Sequence, residues 1–309
     1  MTMSIDTTPD RISLAGITAL ISGGSRGIGH AVAVALGAQG ANVALLAKTD
    51  SPHPKLEGTV HTAAADVDAA GGRGLAVVGD VRREEDVQRA VQETAEAFGG
   101  IDILINNASA IDLSPAGELD MRRYDLMQDV NARGAYLLTS TALPYLRRGA
   151  ETARQAAEHA EEGAGFAPHI LTFAPPLNLD PGWFGAHLGY TISKYAMSMT
   201  TLGFAEQLRE DGIRANSLWP ATLIETAAVK MLAGQAEAAG QRERGEAMLA
   251  GARTPEIMGE AAVALLTGQA GARTGELLTD EQVLAAAGVA DLSRYAVDPQ
   301  AELAPDLFL

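Results

Sequence analysis

The chain has 309 residues, of which 47% are hydrophobic and 20% are charged. This length and composition fit one large α/β domain that can bury a substantial core. The formal net charge of −16 argues against a nucleic acid or an anionic membrane surface as the main partner. Any site for an anion must therefore be local.

The chain contains no cysteine. A disulfide framework, a thiolate metal site and a thiol nucleophile are therefore excluded, and nothing points to an oxidising compartment. The opening "MTMSIDTTPDRISL" lacks the basic and apolar regions of a signal peptide, and no stretch of about 18 uncharged apolar residues follows. We expect an unprocessed cytoplasmic protein with no membrane partner.

Short apolar runs alternate with amphipathic segments along the chain. The runs are nearly continuously apolar, as in parallel strands that helices cover on both faces. Between them, the segment 83–99 places Val87, Ala90 and Val91 at helical spacing. The alternation predicts a single α/β domain with a doubly wound, seven-stranded parallel sheet flanked by helices. The predicted strands are 16–22, 41–48, 74–80, 101–107, 169–174, 213–219 and 275–280.

Four segments depart from this alternation. Residues 49–58 form a proline-containing connection, and residues 147–168 are rich in Ala and Glu and should extend a helix into solvent. Residues 231–256 are charged and punctuated by glycine, which suits a mobile cover over a pocket. The tail after Asp280 has apolar residues with little periodicity, and we expect it to pack on a neighbouring subunit.

A glycine-rich turn, "SGGSRGIGH" (22–30), joins the first predicted strand to a helical run. Glycine permits positive φ and close backbone approach, and the free N–H groups at a helix start attract phosphate. A glycine spacing alone is weak evidence, so its position at the first strand–helix junction carries the prediction. We predict that this turn holds the pyrophosphate of a dinucleotide through Gly23, Ser25, Arg26, Gly27, Ile28 and Gly29.

The end of the second predicted strand indicates which dinucleotide binds. NAD-preferring sites usually carry an acidic residue there, but this chain has Ala47 and Lys48, and Asp50 is a poorer candidate because it lies further into the connection. Lys48 and Arg26 could pair with a ribose 2′-phosphate, although both could also be solvated surface charges. We predict NADP(H) as the cofactor.

The stretch "YTISK" puts Tyr190 and Lys194 on the same face of a helix. Reduction of a carbonyl leaves an alkoxide that needs a proton, and a free tyrosine with a pKa of ~10 exchanges its proton too rarely. An ammonium group one turn away and a positive nicotinamide would lower that pKa. Because the chain has only four lysines, this spacing is unlikely to arise by chance. We predict that Tyr190 is a general acid/base tuned by Lys194.

These motifs occur in a recognisable order with "GDV" (79–81), "NNAS" (106–109), "DVNARG" (129–134), "RANSLWPATLIET" (214–226) and "RTGELLTD" (273–280). In that order they resemble the short-chain dehydrogenases/reductases, from about residue 14 to residue 280. The segments 47–64 and 174–184 look like the hydroxysteroid dehydrogenase-like branch, without the sterol-carrier domain of its animal member. The resemblance implies a Rossmann-type domain.

The resemblance also implies roles for residues along the cofactor. Asp80, followed by Val81, would meet the adenine, Asn107 and Ala108 would line the cofactor, and Thr226 would lie near the nicotinamide. From the residues alone, Asp80 could instead cap a strand and Asn107 could form a structural turn.

On the catalytic side, the resemblance implies that Lys194 also holds the nicotinamide ribose and that Asn131 carries a water that relays protons. Asn131 could instead be a packing residue at a helix break. The family's serine, which donates a hydrogen bond to the substrate oxygen, has no counterpart between His169 and Tyr190, where Ala174 occupies its place.

Two side chains could replace that serine. Thr172 lies on the same strand face as Ala174, and the amide of Asn178 can donate. The alternatives are a buried strand residue for Thr172 and a turn former for Asn178. We favour Asn178 as the fourth catalytic residue beside Tyr190, Lys194 and Asn131.

The surroundings of Tyr190 favour a hydrophobic substrate, although core packing explains the same residues. His169 and His187 belong to no cluster at metal-ligand spacing, so we expect no metal. The apolar residues that suggest the substrate are Trp183, Phe184, Leu188, Met231 and Leu232.

The sequence therefore predicts an NADP(H)-dependent oxidoreductase that acts on a small-molecule carbonyl or secondary alcohol. The alternative is an NADP(H)-binding sensor or scaffold with weak or no catalysis, because the usual serine is absent. The resemblance implies a homodimer or homotetramer. The predicted division is a tail (1–13), a nucleotide-binding domain (14–280) with a cover at about 226–252, and an extension (281–309).

Overall fold

The computed structural model describes residues 13–309, apart from residues 53, 55–56, 159–165 and 272. Seven strands form one parallel sheet in the order β3-β2-β1-β4-β5-β6-β7. Each of the seven predicted strands is confirmed. They are β1 (Thr18–Ser22), β2 (Asn42–Ala47), β3 (Arg73–Val78), β4 (Ile103–Asn106), β5 (His169–Thr172), β6 (Arg214–Trp219) and β7 (Leu277–Thr279).

Helices cover both faces of the sheet. The predicted helix at 83–99 is confirmed as α3, which buries Val87, Ala90 and Val91. The helices are α1 (Gly27–Gly37), α2 (Val60–Ala69), α3 (Glu84–Phe98), α4 (Met121–Met127), α5 (Gly134–Glu158), α6 (Pro181–Gln207), α7 (Ala227–Ala238), α8 (Arg242–Ala250), α9 (Glu256–Leu266) and α10 (Asp280–Ala286), with a π-helical turn (Gln128–Arg133) between α4 and α5 and a 3-10 turn at Ser293–Tyr295.

The sheet separates two hydrophobic cores because side chains alternate along each strand. Ile21 of β1 packs in one core with α1, α2, α9 and α10, whereas its neighbour Leu20 packs in the other with α3, α5 and α6. Burial of both faces explains why the strands read as continuous apolar runs.

The four irregular segments have different outcomes. Residues 49–58 connect β2 to α2, and those of them that the structure describes belong to no helix or strand. The helical extension expected in 147–168 is present as α5 up to Glu158, and its continuation over 159–165 lies outside the described residues. The charged segment 231–256 contains most of α7 and all of α8. The end of the chain packs within its own chain, where Thr222 pairs with Pro305 and Arg253 with Ala296. Among the described residues, no helix is long and apolar enough to cross a membrane.

Candidate active site

A cleft of about 600 Å³ opens at the carboxyl ends of the strands. In doubly wound sheets this edge is where ligands bind, because the turns that follow the strands converge there. The predicted cofactor residues line this cleft, except Gly29, which lies in the first turn of α1. The lining residues are Gly23, Ser25, Arg26, Gly27, Ile28, Lys48, Asp80, Val81, Asn107, Ala108, Tyr190, Lys194 and Thr226.

The glycine turn has the geometry that a pyrophosphate requires. Gly23 and Gly27 have φ of 74° and 56°, which favour glycine. A Cβ on Gly29 would lie 2.4 Å from Asn107 Nδ2 and 2.6 Å from the Gly23 carbonyl oxygen. No side chain caps the start of α1, so its first N–H groups remain available to an anion. The turn therefore fits the phosphates of a dinucleotide.

Two cations stand at the end of β2. The Arg26 guanidinium donates to the Thr49 hydroxyl and to the Gly58 carbonyl, at 3.1 Å each. Lys48 Nζ lies 3.8 Å from an Asp80 oxygen, and its side chain is 60% exposed. Asp50 faces away from this corner, with its carboxylate 2.7 Å from the His61 ring. A negative group beside the ribose would meet positive charge here.

Asp80 and Asn107 are both held in place by their neighbours. Arg82 donates to both Asp80 oxygens, at 2.6 to 3.0 Å. Burial would raise the pKa of Asp80, but the hydrogen bonds from Arg82 and the charge of Lys48 outweigh it and lower the pKa. Asn107 donates to the carbonyls of Ser22 and Gly23, which ties β4 to the glycine turn. Both residues can line a cofactor while serving these structural bonds.

Tyr190 and Lys194 come together on α6. The helix is kinked at His187, and the regular turns that follow carry both side chains into the cleft. Tyr190 is 5% exposed and Lys194 is 2% exposed. The Lys194 ammonium donates to the Phe173 carbonyl at 2.6 Å. Burial lowers the pKa of Lys194 to about 7, against the charge of Asp306, which raises it.

The pKa of Tyr190 lies above its ordinary value in this structure. Burial is the largest cause, and the charge of Asp306 adds to it, while a hydrogen bond with the Ser109 side chain acts in the opposite direction. The sequence predicts that Lys194, together with a positive nicotinamide, lowers this pKa. In the protein by itself, Lys194 does not bring the pKa of Tyr190 below its ordinary value. Tyr190 therefore holds its proton at neutral pH.

Asn131 does not line the cleft. It lies in the π-helical turn and is fully buried. Its side chain exchanges two hydrogen bonds with the Ala110 backbone, at 2.7 and 2.9 Å, and donates to Ser193 Oγ at 2.9 Å. Ser193 Oγ in turn donates to the Tyr190 carbonyl. Asn131 therefore links the loop after β4 to the helix that carries Tyr190.

Neither predicted substitute for the serine reaches the wall of the cleft. Thr172 is 3% exposed and lies 3.5 Å from the Asn106 amide, and Ala174 is fully buried. The Asn178 amide donates to the Phe308 carbonyl at 3.1 Å, and its own carbonyl accepts the Tyr195 hydroxyl. The Asn178 amide, which the sequence assigns to the substrate oxygen, is therefore bound by the tail of the chain.

Ser109 is a residue that the sequence reasoning missed. It lines the same cleft as Tyr190, and its side chain lowers the pKa of Tyr190 against the effect of burial. The sequence could have indicated Ser109, because it belongs to "NNAS" and comes directly after β4, at the carboxyl edge of the sheet where ligands bind.

The apolar wall differs from the one predicted. Trp183 packs against Phe308 of the tail, Phe184 packs edge-on against Tyr195, and Leu188 is 38% exposed. Of the two predicted cover residues, Leu232 lines the cleft and Met231 is 43% exposed. The apolar side chains that line the cleft include Ile111, Leu113, Trp219, Leu223, Leu232, Met248 and Leu307.

Across the part of the chain that the structure describes, no group of three or more His, Cys, Asp or Glu side chains could hold a metal ion. A parallel doubly wound sheet, a glycine turn after β1 and a Y-x-x-x-K helix on one cleft together define a nicotinamide-dependent class of dehydrogenase.

Comparisons with known proteins support this class of dehydrogenase. Residues 17–154 match the short chain dehydrogenase family, and residues 181–280 match the enoyl-(acyl carrier protein) reductase family. The chain is 45% identical over 296 residues, 96% of its length, to hydroxysteroid dehydrogenase-like protein 2 of Danio rerio. It spans 64% of that relative's length. The chain belongs to the short-chain dehydrogenase/reductase family.

Solved structures show the same fold. A short chain dehydrogenase from Mycobacterium thermoresistibile superposes with a TM-score of 0.81 at 43% identity, covering 96% of each chain. The NADH-dependent reductase A1-R′ complexed with NAD has a TM-score of 0.65 at 26% identity, covering 86% of this chain and 95% of its own. The family and the fold imply a nicotinamide cofactor for an oxidoreductase that acts on small molecules.

Proposed function

We propose that the chain is an NADP(H)-dependent oxidoreductase that interconverts a carbonyl and a secondary alcohol on a largely apolar substrate. One observation carries the proposal: Tyr190 and Lys194 are buried in the wall of the cleft that also contains the glycine turn. The nicotinamide, when bound, supplies or accepts the hydride. The residues of the chain then have to manage one proton and the charge on the substrate oxygen.

Tyr190 is the proton donor when a carbonyl is reduced. Its raised pKa keeps it protonated at neutral pH, which a general acid requires. Once the proton has left, the Lys194 ammonium stabilises the tyrosinate, and a bound nicotinamide would add to this effect when it is positively charged. Lys194 also holds the nicotinamide ribose. Asn131 holds the loop after β4 against α6 through its bonds to Ala110 and Ser193.

Ser109 takes the part of the absent serine. A hydroxyl can donate a hydrogen bond, and Ser109 lines the same cleft as Tyr190, so its side chain can bind the substrate oxygen that Tyr190 protonates. Such a donor stabilises charge where it develops on the oxygen. Asn178 does not donate to the substrate oxygen, because its amide is bound to the Phe308 carbonyl.

The preference for NADP(H) follows from charge at the end of β2. Arg26 and Lys48 line the cleft there, and Asp50 is turned towards His61. Cations are the natural partners of a 2′-phosphate, and a carboxylate is the usual partner of an unmodified ribose. The apolar wall, with Leu232 of α7 and Met248 of α8 as parts of a cover at about 226–252, favours a hydrophobic substrate.

An alternative function rests on Ala174. The usual serine is replaced by a buried methyl group, so the chain could bind NADPH as a sensor or a scaffold without efficient turnover. Turnover distinguishes the two functions. We would measure NADPH consumption with a panel of aldehydes and ketones, NADP+ reduction with secondary alcohols, and NADPH binding by fluorescence, in the wild type and in Tyr190→Phe.

The oxidoreductase is supported if at least one substrate is turned over and Tyr190→Phe abolishes that turnover while NADPH still binds. Tight NADPH binding without turnover of any compound would instead support the sensor. NADH binding tighter than NADPH binding would contradict the cofactor preference.

A further inference from the structure

The end of the chain forms part of the cleft wall. Asp306 N donates to the Ala221 carbonyl at 3.2 Å, and the Trp219 indole donates to the Leu307 carbonyl at 2.9 Å. Asp306 and Leu307 both line the cleft beside Tyr190. The tail segment, residues 304–308, therefore contributes an acidic and an apolar side chain to the site.

Phe308 anchors this segment against the catalytic helix. It is 1% exposed, although its φ of 74° is unusual for a residue other than glycine. Its ring stacks on Tyr190 at 6.1 Å and lies 5.2 Å from the Tyr195 ring. Burial of the phenyl ring offsets the backbone strain. The position of Asp306 is thus fixed relative to Tyr190.

Lys194 is a buried cation with neutral immediate partners. Its ammonium donates to the Phe173 carbonyl and lies 3.4 Å from Met197 Sδ, and it stands 4.9 Å from the Trp219 ring centroid. A buried ammonium loses most of its hydration, and a charged partner is the usual means by which it stays protonated. Asp306 lies in the wall of the same cleft.

We propose that Asp306 is the counter-charge that keeps Lys194 protonated, and that the tail segment thereby serves as a positioning element of the Tyr190–Lys194 pair. The direct observation is that three groups line one cleft: a buried ammonium, a phenol, and a carboxyl brought there by a segment packed on the phenol ring. The kinetic part of this inference rests on the proposed function, but the electrostatic part does not.

The effects of Lys194 and Asp306 on each other's pKa are in the directions that this proposal requires. The charge of Asp306 raises the pKa of Lys194 against the burial that lowers it to about 7. Burial raises the pKa of Asp306 to about 7, with a contribution from Asp280 and against the charge of Lys194. Asp280 is fully buried and is faced by Arg253 and Glu281. The carboxyl and the ammonium therefore shift each other's pKa in the directions expected of opposite charges.

Asp306 acts on Tyr190 in two opposed ways. By keeping Lys194 charged it favours tyrosinate, and by its own charge it raises the pKa of Tyr190 directly. A change in turnover alone would not separate these effects. The protonation of Lys194 itself has to be measured.

The chain makes that measurement practical because it has only four lysines, at 48, 55, 194 and 230. Lysine labelled with ¹³C at Cε gives one NMR signal from each, and the Lys194 signal is identified by its loss in Lys194→Met. The titration midpoint of that signal would be followed in the wild type, in Asp306→Asn and in Glu302→Gln. Glu302→Gln is the matched control, because it removes an exposed carboxylate from the same tail.

In Asp306→Asn we expect the Lys194 midpoint to fall by about 1 on the pH scale, the effect of losing a nearby opposite charge. The asparagine can still accept the hydrogen bond that Leu307 N makes to Asp306 Oδ1. Glu302→Gln should leave the midpoint unchanged, and Asp306→Glu should restore most of the wild-type value. An unchanged midpoint in folded Asp306→Asn, or an equal fall in Glu302→Gln, would overturn the inference.

If Asp306→Asn does not fold, the wild type alone provides the test. The Lys194 titration curve should then be broader than that of an isolated group, because ionisation of Asp306 in the same pH range raises the pKa of Lys194 as it proceeds. A curve as narrow as that of an isolated group would overturn the inference. If substrates are turned over, the alkaline limb of kcat/KM should also move to lower pH in Asp306→Asn. Absence of wild-type turnover would refute the proposed enzyme without altering the NMR result.

Discussion

The two halves of the cleft are built from different kinds of sequence. The cofactor half comes from short turns that directly follow β1 to β4, so neighbours in the site are also neighbours in a motif. The substrate half joins the loop after β4, α6, α7, α8 and the chain terminus, which are far apart along the sequence. The first half can be recognised locally, whereas the second depends on the completed fold.

The largest effect should come from removing the proton donor. Tyr190→Phe keeps the ring that stacks on Phe308 but removes the hydroxyl, so we expect turnover to fall on the order of a thousandfold. NADPH affinity should change little. Tyr195→Phe is the control, because Tyr195 also contacts Phe308 but donates its hydroxyl to the Asn178 carbonyl. Equal losses in the two variants would show that only packing was disturbed.

A smaller effect tests how the substrate half replaces its missing serine. Ser109→Ala should lower kcat about a hundredfold, the usual loss when one donor to a developing oxyanion is deleted. Asn178→Ala should lower kcat much less than Ser109→Ala does, because the Asn178 amide binds the Phe308 carbonyl and not the substrate oxygen. Steady-state kinetics of both variants decide between them. Loss of activity in Asn178→Ala with full stability, and none in Ser109→Ala, would return the role to Asn178.

The next effect is confined to the cofactor half. Lys48→Ala should weaken NADPH binding about tenfold, as expected for the loss of one charge-assisted bond, and should leave NADH binding unchanged. Lys230→Ala is the matched control, since Lys230 is exposed and paired with Glu225. Isothermal titration with both nucleotides measures the difference. A parallel loss of NADPH and NADH affinity would place Lys48 away from the 2′-phosphate.

The sequence was sufficient to predict the sheet and to predict which turns line the cofactor half of the cleft. Buried parallel strands are continuous apolar runs, and Gly23, Gly27 and Gly29 occur where backbone geometry permits no other side chain without strain or collision. These constraints are local, so a single stretch of sequence contains them. The Y-x-x-x-K spacing is local in the same way, because four residues make one helical turn.

The substrate half could not be predicted because its contacts are non-local. Asn178 was assigned to the substrate, but Phe308, 130 residues later, takes its amide. Trp183 was assigned to the pocket, but it packs against the same phenylalanine. No periodicity in the tail predicts that it returns to α6. Nothing in the sequence therefore indicates that Asp306 lines the cleft. The structure adds that burial raises the pKa of Tyr190, which its local sequence does not indicate because burial is a property of the whole fold.

A last prediction concerns stability rather than activity, and it tests whether both halves of the cleft are supported by one stable sheet. His169 lies at the end of β5 away from the cleft, 1% exposed, with its Nε2 2.9 Å from the Asn216 amide. Burial lowers its pKa from 6.5 to about 3, with a further contribution from Arg214. Between these values the unfolded chain binds a proton that the folded chain does not. The stability due to neutral His169 is therefore complete above pH 6.5 and is lost as the pH falls towards 3.

We therefore expect the free energy of unfolding in urea to decrease below pH 6.5 by up to about 1.4 kcal/mol per pH unit from this residue. His169→Gln should lose that part of the slope, while His61→Gln, which changes an exposed histidine, should keep it. Identical slopes in the wild type and in His169→Gln would mean that the β5–β6 region opens to water before the sheet unfolds. The substrate half would then be a less stable unit than the cofactor half, and the two halves would differ in stability as well as in sequence.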